Sequence, residues 1–306
     1  MNVVTSYIGG YNFNHISELM NKLKLNSLAR FKVKECPCGK SNSDGKFVPF
    51  DGYEKHGYCH SCSKNFRPKG TFEPDVSFLP KQMAPERRID FIDRKYLMQT
   101  MNSKATNYFF SFLKRCFGEG KAFDLIDLYK IGSSKKWHGA NIFWYLDHNA
   151  NIATGKIMLY NEYSGKRVKG QSPRITWVHT QLKMPIENIR RCFFGEHLLS
   201  VNKEKPIALV ESEKTAIIAS VYFSDYIWLA TGGISKLSYE KMKVLRNRKV
   251  VLFPDLGAFD DWNEKAKEFT NWLDIRVSDY LEKIATPEER EQKLDLADYL
   301  IRHTLI

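Results

Sequence analysis

Ile207-Ala208-Leu209-Val210-Glu211-Ser212-Glu213-Lys214 is an apolar run of strand length that ends on an acid and passes into a helical stretch, Glu213 to Phe223. The succession returns. Ile227 to Ala230 leads through Gly232-Gly233 to a helix from Tyr239 to Leu245, and Val250 to Phe253 leads to a helix from Trp262 to Leu273. In that last helix Trp262, Ala266, Phe269 and Leu273 mark the buried face. A short strand, Ile275 to Val277, precedes a helical tail. Strands alternating with helices predict a parallel sheet covered by helices. Functional groups of such a sheet collect just beyond the carboxyl ends of its strands. Glu211 stands there, and so does Asp255, two residues past its strand in Val251-Leu252-Phe253-Pro254-Asp255-Leu256-Gly257. Oxygen ligands of this kind hold Mg²⁺, which leans on substrate phosphates for the rest of its shell. Such ions activate a hydroxyl and stabilise leaving pyrophosphate. Asp260, Asp261, Asp295 and Asp298 are further candidates, the last two sharing a helical face. Each also has an ordinary occupation, Asp261 or Asp295 as a helix cap and any of them as an idle exposed acid. Taken singly, only Glu211 and Asp255 read more readily as catalytic than as structural.

Toward the amino end stand Cys36-Pro37-Cys38-Gly39 and Cys59-His60-Ser61-Cys62. Two tight turns, each presenting a pair of thiolates, predict a zinc ribbon in which the metal replaces a core too small to form alone. A disulfide pair would need an oxidising compartment, and Met1 to Tyr11 has no basic start followed by an apolar run, so a cytoplasmic protein is expected. The first pair is one residue short of the usual spacing, so His56 or His60 is a stand-in ligand, though each reads more simply as a solvated hairpin residue. Phe47, Phe50, Tyr53 and Tyr58 lie among Lys46, Lys55 and Lys64. Those rings suit base stacking and a scanty core equally well. Cys116 falls on the stripe Tyr108, Phe109, Phe112, Leu113, Cys116, Phe117 and reads as core.

Between these ends, a proline-bearing stretch predicts a linker, followed by helices near Asp93 to Met101, Ala105 to Phe117 and Lys121 to Leu128. Strands follow at Asn141 to Leu146, Ile152 to Tyr160 and Arg174 to His179. Ser164-Gly165-Lys166-Arg167-Val168-Lys169-Gly170 is a basic turn suited to phosphate, or a solvated loop. Residues 1–90 hold 14 basic and 9 acidic residues, 91–205 hold 19 and 9, and 206–306 hold 14 and 17, within a net charge of +12. The leading segments suit a polyanion and the last suits metal ions, unless the lysines only confer solubility. With 43% hydrophobic residues the chain builds a sizeable core, and no apolar run reaches membrane-spanning length.

Basic zinc ribbon, mixed middle, then strand-Glu-helix and strand-Asp resemble in their order the bacterial DNA primases and their phage and plasmid relatives, whose carboxylate unit is the TOPRIM domain. Asn141-Ile142-Phe143-Trp144-Tyr145-Leu146-Asp147 with Gly155-Lys156 is similar to that family's strand pair before TOPRIM, and Leu294 to Leu300 resembles the segment that closes many phage-type TOPRIM domains. The last third also resembles small zinc-ribbon, TOPRIM-like proteins of mobile elements in Bacteroides-type bacteria. The resemblance implies an α+β multidomain chain. Residues 1–66 would form an amphipathic helix, around Ile16 to Leu23, and a zinc ribbon; 67–90 the linker; 91–205 a basic mixed α/β domain; and 206–306 a TOPRIM-like parallel sheet. It implies structural Zn²⁺ on Cys36, Cys38, Cys59 and Cys62, and Mg²⁺ or Mn²⁺ at Glu211 and Asp255. Implied partners are single-stranded DNA, nucleoside triphosphates and a separate helicase, since no G-x-x-x-x-G-K-[ST] loop for a fused motor is present. Lys156, Lys166, Arg167, Lys169 and Arg174 are the phosphate-contact candidates. Gly257 departs from the family's second aspartate. Primer synthesis, nucleic-acid binding without catalysis, and TOPRIM nuclease action follow as expected functions in that order.

Overall fold

In the computed structural model, residues 23–68, 88–103, 105–168 and 174–304 are described. The chain divides into two compact units, Met1–Pro85 and Glu86–Ile306.

The first unit is built on β1 (Phe47–Pro49), β2 (Gly57–Cys59) and β3 (Lys64–Phe66), an antiparallel sheet in that order. Its core is small: Cys36, Phe47 and Cys59 are buried, with Val33, Cys38, Cys62 and Phe66 packed around them. Asn42 supplements it. Its buried amide donates to the carbonyl oxygens of Arg30, Val33 and Phe47 at 2.7, 3.0 and 3.1 Å and accepts from Phe47 N at 2.6 Å. One side chain thereby satisfies backbone groups that no strand reaches. The helix expected around Ile16 to Leu23 falls, Leu23 apart, outside the described residues, as does most of the expected linker.

The second unit opens with α1 (Arg94–Met101), α2 (Tyr108–Phe117) and α3 (Glu119–Leu128). Asp93 and Asn107 cap the first two by accepting from Lys95 N and Phe110 N. An antiparallel sheet follows in the order β4 (Ile131–Ser134), β5 (Ala140–Leu146), β6 (Ile152–Met158) and β7 (Ile175–Trp177). All seven residues of β5 are buried, which explains a run in which both faces are apolar. Ala140, Ile142, Trp144 and Leu146 pack with Ile92 and Leu97, whereas Phe143 and Tyr145 face the opposite way, into the main core. Two expectations change here. The strand expected from Arg174 to His179 stops at Trp177 and turns into a short helix, Val178–Gln181, and β4 was not anticipated because Ile131 is its sole large apolar residue.

The remaining strands, β8 (Ile207–Val210), β9 (Ile227–Ala230), β10 (Lys249–Leu252) and β11 (Asp274–Val277), form a parallel sheet in the order β11-β10-β8-β9. α4 (Glu213–Tyr222) connects β8 toward β9, and α5 (Phe259–Lys267) connects β10 toward β11. The chain therefore leaves adjacent strands β8 and β10 in opposite directions, which opens a crevice at their carboxyl ends. The helix expected from Trp262 to Leu273 ends at Lys267, and Phe269 and Leu273 reach the core from the turns beyond it. α6 (Leu296–Thr304) packs on α4. One continuous core joins the two sheets: Tyr129 stacks on Phe194 with ring centres 5.5 Å apart, and Phe194 exchanges backbone hydrogen bonds of 3.1 Å with Ala230, covering the β9 edge. No helix of the described residues is long and apolar enough to cross a membrane.

Candidate active site

Glu211 emerges from β8 half-buried, its carbonyl oxygen accepting from Gly232 N at 2.9 Å and its carboxylate turned toward Gly233. Asp255 follows β10, and Phe253 N donates to Leu209 O at 2.8 Å, which holds the two strand ends in register. Burial lifts the Asp255 carboxyl to about 7, and the charges of Asp295, Glu211 and Asp298 add to the effect while Lys214 opposes it. These four acids therefore share one electrostatic neighbourhood. Asp260 and Asp261 do not join it; both are exposed on the first turn of α5.

Lys214, on the first turn of α4, already neutralises part of the cluster. Its buried ammonium pairs with Asp298 at 2.5 Å and Asp295 at 3.4 Å, contacts that raise its pKa against the burial that would lower it. Asp295 also caps α6 by accepting from Asp298 N at 2.7 Å, the structural role open to it in the sequence. Among the described residues no three acids bring their oxygens together as a metal cage. A divalent cation here would rely on Glu211 and Asp255 and on ligands from a substrate, which is the usual habit of Mg²⁺. Gly257, where the resemblance puts a second aspartate, has φ +79°, and its N–H donates to Glu282 Oε1 at 2.7 Å. A Cβ there meets no neighbour within 4 Å, but an aspartate would have to adopt the left-handed region at a cost of about 1 kcal/mol.

The phosphate-contact candidates separate. Lys166 and Arg167 are exposed on the basic turn, which rests on α2: a Cβ on Gly165, at φ +61°, would meet the Phe112 ring at 2.2 Å. Arg174 is exposed and lies over the Trp137 ring at 5.8 Å. Lys169 is outside the described residues. Lys156 points inward instead, its ammonium 2.9 and 3.1 Å from the two carboxylate oxygens of Glu213. Glu213 is buried and also accepts from the Tyr145 hydroxyl, whose ionisation is strongly disfavoured by burial and by that same carboxylate. The sequence reading missed this pair because an acid on a first helical turn reads as a solvated residue. Replacing Lys156 by methionine is expected to cost about 3 kcal/mol in urea unfolding, since a buried carboxylate loses its counter-ion. Glu213→Gln in the same background should recover most of that loss; an unchanged midpoint in the single variant would remove the pair from the account.

In the first unit the Sγ atoms of Cys36, Cys38, Cys59 and Cys62 all lie within 4.8 Å of one another. That grouping fits a tetrahedral zinc ion with sulfur at about 2.3 Å. Burial pushes the Cys36 thiol up to about 12. At Cys59 burial also opposes the thiolate, yet the Cys62 N–H, the Cys36 thiol and the Ser61 N–H together bring it down to about 7. His56 and His60 instead pack edge-on against Tyr53 and Tyr58, with ring centres 5.4 and 4.9 Å apart. Phe47 and Phe50 are core, whereas Tyr53 is exposed.

A domain family described as a domain of unknown function, DUF6371, matches residues 107–256. No curated protein matches the chain. Among solved structures it is similar to the DnaG catalytic core, at 14% identity and a TM-score of 0.44 over 69% of this chain and 81% of that one. It is similar to the RNA polymerase domain of Mycobacterium tuberculosis primase DnaG, at 11% identity and a TM-score of 0.33 over 62% and 63% of the two chains. A DNA primase domain from Pseudomonas aeruginosa gives 15% identity and a TM-score of 0.35 over 61% and 64%. The chain thus spans less than two thirds of the last two.

Proposed function

We propose that the protein is a primase-like nucleotidyltransferase that binds single-stranded DNA and makes short primers from nucleoside triphosphates. The observation that carries this reading is that Glu211 and Asp255 follow the carboxyl ends of the adjacent parallel strands β8 and β10, with Asp295 and Asp298 near enough to help raise the Asp255 carboxyl. Carboxylates forced together this way are relieved by a cation. Mg²⁺ or Mn²⁺ held by Glu211 and Asp255 would supply positive charge for a triphosphate. Glu211 is set to take a proton from an attacking hydroxyl or to act as a metal ligand. Lys166, Arg167, Lys169 and Arg174 would grip phosphates, and the cysteine-held ribbon would hold template through Tyr53 and its lysines.

A second reading, nucleic-acid binding without catalysis, is favoured by Lys214, whose ammonium already occupies Asp295 and Asp298. Primer synthesis on single-stranded DNA with Mg²⁺ or Mn²⁺ separates the two. The intact protein is expected to make product and Glu211→Gln to lose about a hundredfold or more of that activity. Product that persists in the variant would strike Glu211 from the assignment. Salt-sensitive binding with no product from the intact protein would establish the second reading.

A further inference from the structure

At the amino ends of β8, β10 and β11, the end of the sheet opposite Glu211, lies a cavity of about 640 Å³. That volume is in the range of sites that take a nucleotide-sized group. Its charged lining is Lys203, Arg248, Lys249 and Arg276 against Glu204 and Asp274, an excess of positive charge. Lys203, Lys249 and Arg276 are exposed, and among the described residues none of them forms an ion pair with a carboxylate. The three face one concavity.

Arg248 has a different task. Burial lowers its pKa while Glu204 nearby opposes that, and its Nη2 donates to the carbonyl oxygens of Asn202 at 2.9 Å and Lys205 at 2.7 Å. Lys205 in turn donates to Ser224 O at 2.7 Å. The loop that carries Lys203 is thereby fastened at the mouth of the cavity, so its cation is placed before any ligand arrives. Pro206, half-buried, supplies the apolar part of the wall. Unpaired cations lining one concavity suit the phosphates of a nucleic-acid strand.

We infer that this cleft binds the phosphates of single-stranded nucleic acid, as a strand-holding site separate from the acids. The strands between the two ends are four residues long, so the sites stand roughly 10–13 Å apart along the sheet. The inference rests on the nucleic-acid binding in the proposed function and is independent of its catalysis.

The test is fluorescence anisotropy of a short labelled single-stranded oligonucleotide with the full chain, without divalent cation, across a series of salt concentrations. Lys249→Gln with Arg276→Gln is expected to weaken binding roughly tenfold and to reduce the salt slope by about 1.4, two phosphate contacts on a single strand. Both side chains are exposed, so an unchanged melting temperature shows that the fold persists. Lys265→Gln with Lys267→Gln makes the same change in net charge on α5 and should leave affinity near that of the unaltered protein. Equal effects from the two double variants overturn the cleft while leaving nucleic-acid binding intact. Failure of the unaltered protein to bind the oligonucleotide overturns both. Loss of ATP binding with oligonucleotide binding unchanged makes the cleft a nucleotide site and overturns the strand assignment.

Discussion

Stripping zinc with a chelator, or replacing Cys59 by serine, is expected to unfold the segment 23–68 while leaving the second unit's melting curve in place. Only five apolar residues of the described part of that segment are buried, Cys36, Phe47, Val48, Phe50 and Cys59, and two of them are ligands. A core of that size does not offset the conformational entropy of its chain. Structural zinc supplies about 10–16 kcal/mol in small domains of this kind, so its loss exceeds any stability the ribbon has without it. The two units can be followed separately, because all six tryptophans lie in residues 137–272. Chelation should release one zinc per chain and make the ribbon protease-sensitive, with tryptophan fluorescence unfolding at its former temperature. A metal-free protein whose ribbon resists protease would sink the zinc assignment.

The sequence disclosed most where one physical signal dominated. β8 and β9 run over Ile207–Val210 and Ile227–Ala230 as expected, because a four-residue apolar run before a helical stretch leaves little alternative in a buried parallel sheet. The cysteine pairs likewise disclosed their own meeting, since ligand spacing is written in the chain. What stayed hidden depended on packing between elements distant in sequence. Glu213 and Lys156 are 57 residues apart and join only because the antiparallel sheet lies against the first turn of α4. Lys214 meets Asp298 across 84 residues, and no local pattern distinguishes it from a solvated lysine. The early end of α5 belongs to the same class. Phe269 and Leu273 keep the helical period that predicted continuation, yet they reach the same core from turns. Burial of an apolar residue fixes its side, not its backbone.

Above neutral pH, Asp255→Asn is expected to stabilise the second unit by up to about 4 kcal/mol, a shift of roughly three units at 1.36 kcal/mol each. The native carboxyl sits at about 7 because it is buried beside Asp295, Glu211 and Asp298, whereas in the unfolded chain it returns to the ordinary range near 3.8. Between those values the native state holds a proton that the unfolded state has released. Stability must then fall as pH rises through that window, with the contribution fully present below about 4 and lost once pH passes 7. Lys241, whose burial lowers its pKa to about 8, acts in a separate window and in the opposite sense, stability rising as pH climbs above 8. Unfolding midpoints followed by tryptophan fluorescence from pH 4 to 8, without divalent cations, should show a decline in the unaltered protein that is absent from Asp255→Asn. Millimolar Mg²⁺ should restore stability to the unaltered protein at pH 8 and do nothing for the variant, since a cation relieves only a charged site. Parallel curves for the two proteins would mean that Asp255 carries no such burden. The electrostatic ground for placing metal chemistry at this rim would go with it.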